Sequence, residues 1–304
     1  MPGLDELRWA ATVARFLRNN PLTRHHVGRG MARAVGLQLA WRVLGLRSVT
    51  VPFVDDAELM LRTGMPGATG NFYAGLNDFA DMSFLLHTLR EGDLFADVGA
   101  NVGTYTVLAS AVRRCRSITF EPIARTRLGL LDNLRLNRIE DRVSVRPVAV
   151  GRAPGVLDLT SDHGPMNRAL AAGETYAGTV ERVDVVTLDE ALGGRVPTVL
   201  KIDVEGYESE VLAGAARTLR SPQLLGIIAE FNASNVRYGA DDAKLLRLLA
   251  DNGFAPQCYS PRTRTLHAPD DKRSSANLIL VRNDPELRER LKSAATFKVL
   301  GQDV

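Results

Sequence analysis

Residues 95–106 read Phe-Ala-Asp-Val-Gly-Ala-Asn-Val-Gly-Thr-Tyr-Thr: a short apolar run that stops near an acid and breaks into glycines where a helix begins. Glycines at such a turn take positive φ and admit close approach of a ligand, and the helix start adds unpaired N–H donors. A glycine turn after a strand is also an ordinary structural device. Glu121 narrows the choice, because it closes the next apolar run 18 residues after Gly103. In a doubly wound sheet this carboxylate stands beside the first loop, able to accept from both hydroxyls of a ribose. A dinucleotide turn needs a middle glycine to clear the pyrophosphate, and Asn101 stands in its place. Asp97, just ahead of the loop, is poorly placed for a diphosphate and well placed to order the loop around an amino-acid moiety. The pattern therefore fits S-adenosylmethionine better than NAD.

A second group of acids follows. Lys201, Asp203 and Glu205 alternate at the end of a later apolar run, and Glu230 ends the one after it. Ligands of doubly wound sheets sit at the carboxyl ends of strands, so these acids are expected to converge beside an acceptor. A sulfonium methyl is already activated, and aligning an acceptor oxygen with it is worth about 7–11 kcal/mol. A weakly nucleophilic hydroxyl gains roughly 10²–10⁴-fold more from a general base. Asp203 is the expected base or orienting group, with Glu205 and Glu230 in support, since clustered carboxylates raise one another's pKa. Asp203, Glu230 and Asn232 could also hold a hard divalent cation. That reading is not favoured, because acids gather at strand ends without metal. His163 is a further candidate base if its loop closes, and Asn167, four residues on, is an expected substrate contact. Tyr73 and Asn77 either cover the cofactor or pack in the core. His87 reads as a packing residue, and His25, His26 and His267 as surface positions.

DVGANVGTYT, then FEP (120–122), VTLDEAL (186–192), LKIDVEGYESEVLAGA (200–215) and IIAEF (227–231), in that order, resemble the FkbM family of methyltransferases. The likeness spans about residues 70–282 and implies a class I Rossmann-like fold, S-adenosylmethionine as cofactor and methyl transfer, usually to oxygen. By it, Asp97, Gly99, Asn101, Gly103 and Thr104 would hold the methionine end and Glu121 the ribose, with Ala149 beside the adenine. The family's habits point to a sugar hydroxyl in glycan, glycolipid or natural-product assembly. The alternatives are an NAD-dependent oxidoreductase, which shares the βαβ plan, and a cofactor-binding module without catalysis.

Positioning these residues at one sheet edge takes strands alternating with helices. LFADV (94–98), SITFE (117–121), VSVRPVAV (143–150), TVLKIDV (198–204) and LGIIAEF (225–231) alternate with helical stretches. This predicts an α/β doubly wound, mainly parallel sheet. Runs near 255–260 and 277–282 suit an antiparallel edge, and Asp284-Pro285-Glu286 suits the start of a closing helix. Residues 151–181 are too long for an ordinary connection and are expected to be an irregular substrate loop. The methyltransferase domain is placed at 51–304, after an N-terminal helical arm of residues 1–50 with amphipathic helices over 4–19 and 29–45. Strands around an Asp-Asp turn are expected in 48–63.

Composition refines the partners. The chain has 304 residues and a formal charge of +3, yet residues 1–50 hold eight Arg against Asp5 and Glu6. The excess therefore belongs to the arm, and the body is slightly acidic. The arm is expected to meet an anionic membrane surface, a nucleotide-linked sugar or another subunit. Aromatic residues make up only 6%, with no basic groove between them, so nucleic acid is not an expected partner. Cys115 and Cys258 lack metal-ligand spacing and suit a reducing compartment. The start, MPGLDELRW, lacks the character of a signal peptide and no long apolar span occurs, so the expected location is cytoplasmic, with peripheral membrane contact left open.

Overall fold

The computed structural model describes residues 4–63, 65–162, 164–171, 173–231, 242–269 and 277–304. The chain opens with helices α1 (Leu4–Asn19) and α2 (Val27–Arg42), then strands β1 (Ser48–Pro52) and β2 (Glu58–Arg62). Helices α3 (Thr69–Ala74) and α4 (Phe79–Thr88) lead into strand β3 (Leu94–Val98). Next come α5 (Thr104–Val107), which runs on as a π turn, then β4 (Arg116–Phe120), α6 (Ala124–Leu136) and β5 (Val143–Arg146). Strands β6 (Ala149–Val150), β7 (Gly155–Thr160) and β8 (Val180–Val186) precede α7 (Leu188–Ala191) and β9 (Val199–Ile202). Helices α8 (Glu208–Ala213) and α9 (Ala216–Arg220) connect to β10 (Gly226–Glu230), followed by α10 (Asp242–Asp251). The chain finishes with β11 (Ala255–Ser260), β12 (Thr265–His267), β13 (Asn277–Val281), α11 (Pro285–Lys292) and a short β14–β15 hairpin (Lys298–Val299, Gln302–Asp303).

Eight strands form the central sheet in the order β12-β11-β13-β10-β9-β3-β4-β5. The five from β10 to β5 are parallel, and β13, β11 and β12 add an antiparallel edge. From β3 the chain steps outward to β4 and β5, then returns to build β9 and β10 on the other side. The carboxyl ends of β3 and β9 therefore flank the switch point, where such sheets leave a crevice. This is the Rossmann-like doubly wound arrangement of class I methyltransferases. Helices cover both faces, so the parallel strands read as almost unbroken apolar runs. All four residues of β9 are buried, as are four of the five in β10.

Two stretches depart from expectation. VSVRPVAV is two strands: β5 ends at Arg146, and β6 pairs with β8 in a separate three-stranded sheet of order β6-β8-β7. Pro147 lies at the break, where its missing N–H cannot continue a ladder. The expected loop of 151–181 is bounded by this sheet, β7 and β8 pairing antiparallel from Gly155↔Val185 to Thr160↔Val180, while the described residues between them hold no named strand and only a short 3-10 turn at Gly164–Met166. Its inner residues Leu159, Val183 and Val185 bury against Ile123, Ala149 and Ala169. The period-two pattern in both segments is the signal that a reading based on small-residue content passes over.

The N-terminal helices share the main core. Leu17, Leu22, Ala34 and Leu37 belong to one buried cluster with Leu76, Leu85 and Phe95. Asn20 Nδ2 donates to the Leu76 carbonyl at 2.6 Å, and Gln302 Nε2 donates to that of Leu22 at 2.7 Å. His87 is buried with Nδ1 2.6 Å from the Tyr259 hydroxyl, and burial pushes its pKa down to about 4, which suits packing rather than proton transfer at neutral pH. Among the described residues no helix is long and apolar enough to cross a membrane. Leu17→Ala is expected to cost about 2–5 kcal/mol in a single cooperative urea transition. Two transitions, with the second at the wild-type midpoint, would show instead that the arm melts apart from the sheet.

Candidate active site

The turn after β3 is fixed by backbone contact. Gly99 has φ +79°, and a Cβ there would lie 1.8 Å from the Asp203 carbonyl oxygen, so only glycine lets the loops after β3 and β9 touch. The Gly99 and Ala100 N–H groups both donate to the Phe120 carbonyl, at 3.1 and 3.0 Å, tying the loop to the end of β4. Asn101 (φ +54°) and Gly103 (φ +83°) complete the left-handed turns that deliver the chain into α5.

Glu121 organises this loop as well as facing a pocket. Its Oε2 accepts from the Asn101 N–H at 3.0 Å and its Oε1 from that of Ile123 at 2.9 Å. Burial raises its pKa to about 8 despite these two donors. Each oxygen keeps a lone pair for a further donor. Glu121 lines a pocket with Pro122, Ile123, Val148, Ala149 and Leu157, so one carboxylate faces largely apolar walls. Asn167 lines this same pocket, on the Glu121 side, and is absent from the acidic cleft described next. His163 lies outside the described residues, as does Asn232.

A larger cleft of about 990 Å³ opens on the other side of the Gly99–Asn101 turn. Gly99, Asn101, Asp203 and Glu205 line both spaces, so the two meet where the β3 and β9 loops touch. Asp203, Glu205 and Glu230 each place a carboxylate oxygen within 4.8 Å of the others there. Strand alternation does not account for Glu205, because β9 ends at Ile202. Its place comes from a left-handed turn with φ +52°. Burial, with Glu230 and Asp203 alongside, pushes the Glu205 pKa up to about 7. The three acids are the described residues that could hold a hard cation.

Beneath them lies a buried ammonium. Lys201 Nζ donates to Asp203 Oδ2 at 2.8 Å and sits 4.7 Å from the centre of the Tyr105 ring. Burial lowers the Lys201 pKa, but Asp203, Asp97 and Asp78 outweigh it and the net shift is upward. Asp97 is buried, accepts from Thr106 Oγ1 at 2.7 Å, and lines neither space. In this structure it supports the loop from below. Thr104 lines the cleft, and Gly103 lines neither space.

Sequence reasoning did not single out Tyr105, Asp78, Asp81 or Asn277, which also line the cleft. Asp78 and Asp81 sit at the start of α4, where acids are ordinary helix-start residues, so only their shared cleft distinguishes them. Tyr105 lies inside the glycine motif itself, but its ring under Lys201 is a tertiary contact that the spacing does not encode.

The family profile described as the methyltransferase FkbM domain matches residues 97–256, from Asp97 at the end of β3 into β11. The chain belongs to this family. Its segment is also similar to the hexuronic acid methyltransferase AglP of Haloferax volcanii, 30% identical over 173 residues. That match covers 55% of this chain and 65% of the relative, just under two thirds of the relative's length. Among solved structures, a precorrin-6Y C5,15-methyltransferase of Geobacter metallireducens is 13% identical with a TM-score of 0.38, covering 67% of this chain and 86% of that one. An rRNA methylase of Streptococcus thermophilus is 12% identical with a TM-score of 0.40, covering 67% and 95%. At these values the assignment to the FkbM fold rests on the strand order and the profile match.

Because Glu121 has its pKa raised to about 8, the folded FkbM domain keeps a proton that the unfolded chain releases in the ordinary carboxyl range. Stability of the cofactor-free protein is therefore expected to fall as pH rises toward 8, with Glu205 and Glu208, both raised to about 7, acting in the same direction. Glu121→Gln should flatten part of this slope in urea titrations run from pH 5 to 8. An unchanged slope would place the proton elsewhere.

Proposed function

We propose that this FkbM-family protein transfers a methyl group from S-adenosylmethionine to a hydroxyl of a sugar. The observation that carries the reading is the meeting of two spaces at Asp203 and Glu205, one nucleoside-like and one acidic and polar. The first space fits a nucleoside, with the free lone pairs of Glu121 for ribose hydroxyls and apolar residues around Ala149 for a base. Asn101 and Gly99, at the junction, would face the amino-acid portion. When bound, the cofactor supplies a methyl group already activated on sulfur.

The second space suits a polyhydroxylated acceptor, because six asparagines (Asn19, Asn20, Asn71, Asn77, Asn101 and Asn277) line it. Amides offer both donors and acceptors, which matches alcohols better than apolar or aromatic acceptors. Support for a sugar also comes from the similarity to a relative named as a hexuronic acid methyltransferase.

Asp203 Oδ2 accepts from Lys201 Nζ at 2.8 Å, which supports an orienting role for this carboxylate rather than that of base. Glu205, with its pKa near 7, is the group able to take the hydroxyl proton at neutral pH. Glu230 keeps that pKa raised by its proximity. Asn167, on the Glu121 side, would then contact the nucleoside end, and a metal ion is not required by this scheme.

The first test is calorimetry with S-adenosylhomocysteine and with NAD. Binding of S-adenosylhomocysteine is expected, and binding of NAD alone would overturn the reading. Glu121→Gln should weaken S-adenosylhomocysteine by about tenfold or more, since one of the two carboxyl oxygens offered to the ribose hydroxyls is lost. Asp203→Asn should retain that affinity while turnover on a glycoside acceptor, read by product mass, falls roughly 10²–10⁴-fold. Activity should drop as pH falls below about 7, because protonated Glu205 cannot act as base, and Glu205→Gln should remove that limb. A limb that persists in Glu205→Gln assigns the proton to another group.

A further inference from the structure

The acceptor cleft has its charges sorted by depth. Five acids line it: Asp81 is buried, and Asp78, Asp203, Glu205 and Glu230 are half-buried. Three cations line it as well. Lys201 is buried and bound to Asp203, so it belongs to the floor. Arg24 and Arg262 are both exposed, and neither has a carboxylate partner among the described residues. Arg24 stands in the turn between α1 and α2, where its Nε donates to His25 Nε2 at 3.1 Å. Arg262 stands in the turn between β11 and β12, at the antiparallel edge of the sheet. Two elements far apart in sequence thus each bring a guanidinium without a carboxylate partner among the described residues to a cleft otherwise dominated by carboxylates.

An acidic floor orients a hydroxyl but repels an anionic acceptor that enters without guidance. Two guanidiniums at the rim change this. They offer forked donors to a planar or tetrahedral oxyanion while the floor excludes the same group from the transfer point. We propose that the acceptor is an anionic glycoside whose carboxylate or phosphate is held by Arg24 and Arg262, leaving an uncharged hydroxyl to enter among Asp203, Glu205 and Glu230. The inference rests on the sugar-methylation reading above and specifies its substrate class. It also gives the N-terminal helices a direct part in substrate choice, since Phe16, Asn19, Asn20 and Pro21 line the same wall as Arg24.

The test compares methyl glucoside, methyl glucuronide and methyl glucoside 6-phosphate on the full chain, wild type against Arg24→Gln, Arg262→Gln and the double variant. Two readouts are taken: methyl transfer by product mass, and acceptor binding by calorimetry with S-adenosylhomocysteine present. The wild type is expected to prefer at least one anionic glycoside to the neutral one. In the double variant the ratio of kcat/KM for that anionic acceptor to kcat/KM for methyl glucoside should fall at least tenfold, mainly through KM. The preference should weaken with added salt, as for exposed charge pairs. The glucuronide and phosphate arms decide which oxyanion is held. Equal binding of the anionic glycosides to wild type and double variant, or a wild type that binds only the neutral sugar, overturns the proposal. Arginine-dependent binding with no transfer to any acceptor would uphold the anion subsite and overturn the reaction assigned above.

Discussion

The site depends on one buried ammonium. Lys201 lies opposite Asp97 in the register of β9 against β3, and its Nζ reaches Asp203 beyond the strand end. A charge this deep is tolerable only with opposite charge and hydrogen bonds around it, and Asp97, Asp203, Asp78 and the face of Tyr105 supply them. That requirement brings the tails of the two central strands and the start of α4 together. The backbone then follows: the Asp203 N–H donates to the Val98 carbonyl at 3.0 Å, and Gly99 presses against the Asp203 carbonyl. A larger residue at position 99, or a neutral one at 201, would separate the strand ends that bound both spaces.

From this junction the two sides diverge in character. Toward β4 the walls are more apolar, and beyond the shared Asp203 and Glu205 they carry Glu121, its charge disfavoured by burial and partly recovered through two backbone donors. Toward β10 and α4 the walls hold many acids and amides, and burial, with Glu230 and Asp203 alongside, raises the Glu205 pKa to about 7. One space tolerates a nucleoside, and the other is arranged for hydroxyl groups and a proton. The small sheet of β6, β7 and β8 closes the first space from outside, since Leu157, Leu159 and Ala149 belong both to that sheet and to the pocket wall.

Much of this was legible from spacing. Period and punctuation located β3, β4, β9 and β10 to within a residue or two, because parallel strands buried on both faces must be apolar throughout. The antiparallel edge and the Asp284 cap on α11 were equally plain, and the Asp284 side chain does accept from the Glu286 and Leu287 N–H groups. Pro147 and the alternation within β7 and β8 were present in the sequence too. They were outweighed by small-residue content that suggests a loop. Asn167 shows a different limit: four residues from His163 on a linear reading, it lines the Glu121 pocket because β7 and β8 fold that segment back over β4's side of the sheet.

By itself the sequence determined the strand–helix alternation, the glycine turn with its carboxylate 18 residues on, and the presence of acids at two later strand ends. These are local properties, set by burial period, allowed φ and the chemistry of single side chains. Tertiary structure alone decided that Asp97 faces inward under the loop, and that Glu205 joins Asp203 and Glu230 through a left-handed turn rather than strand alternation. It also carried Arg24 from the basic arm to the mouth of an acidic cleft. Those outcomes depend on which surfaces meet in the folded chain, and a charge count along the sequence holds no record of depth.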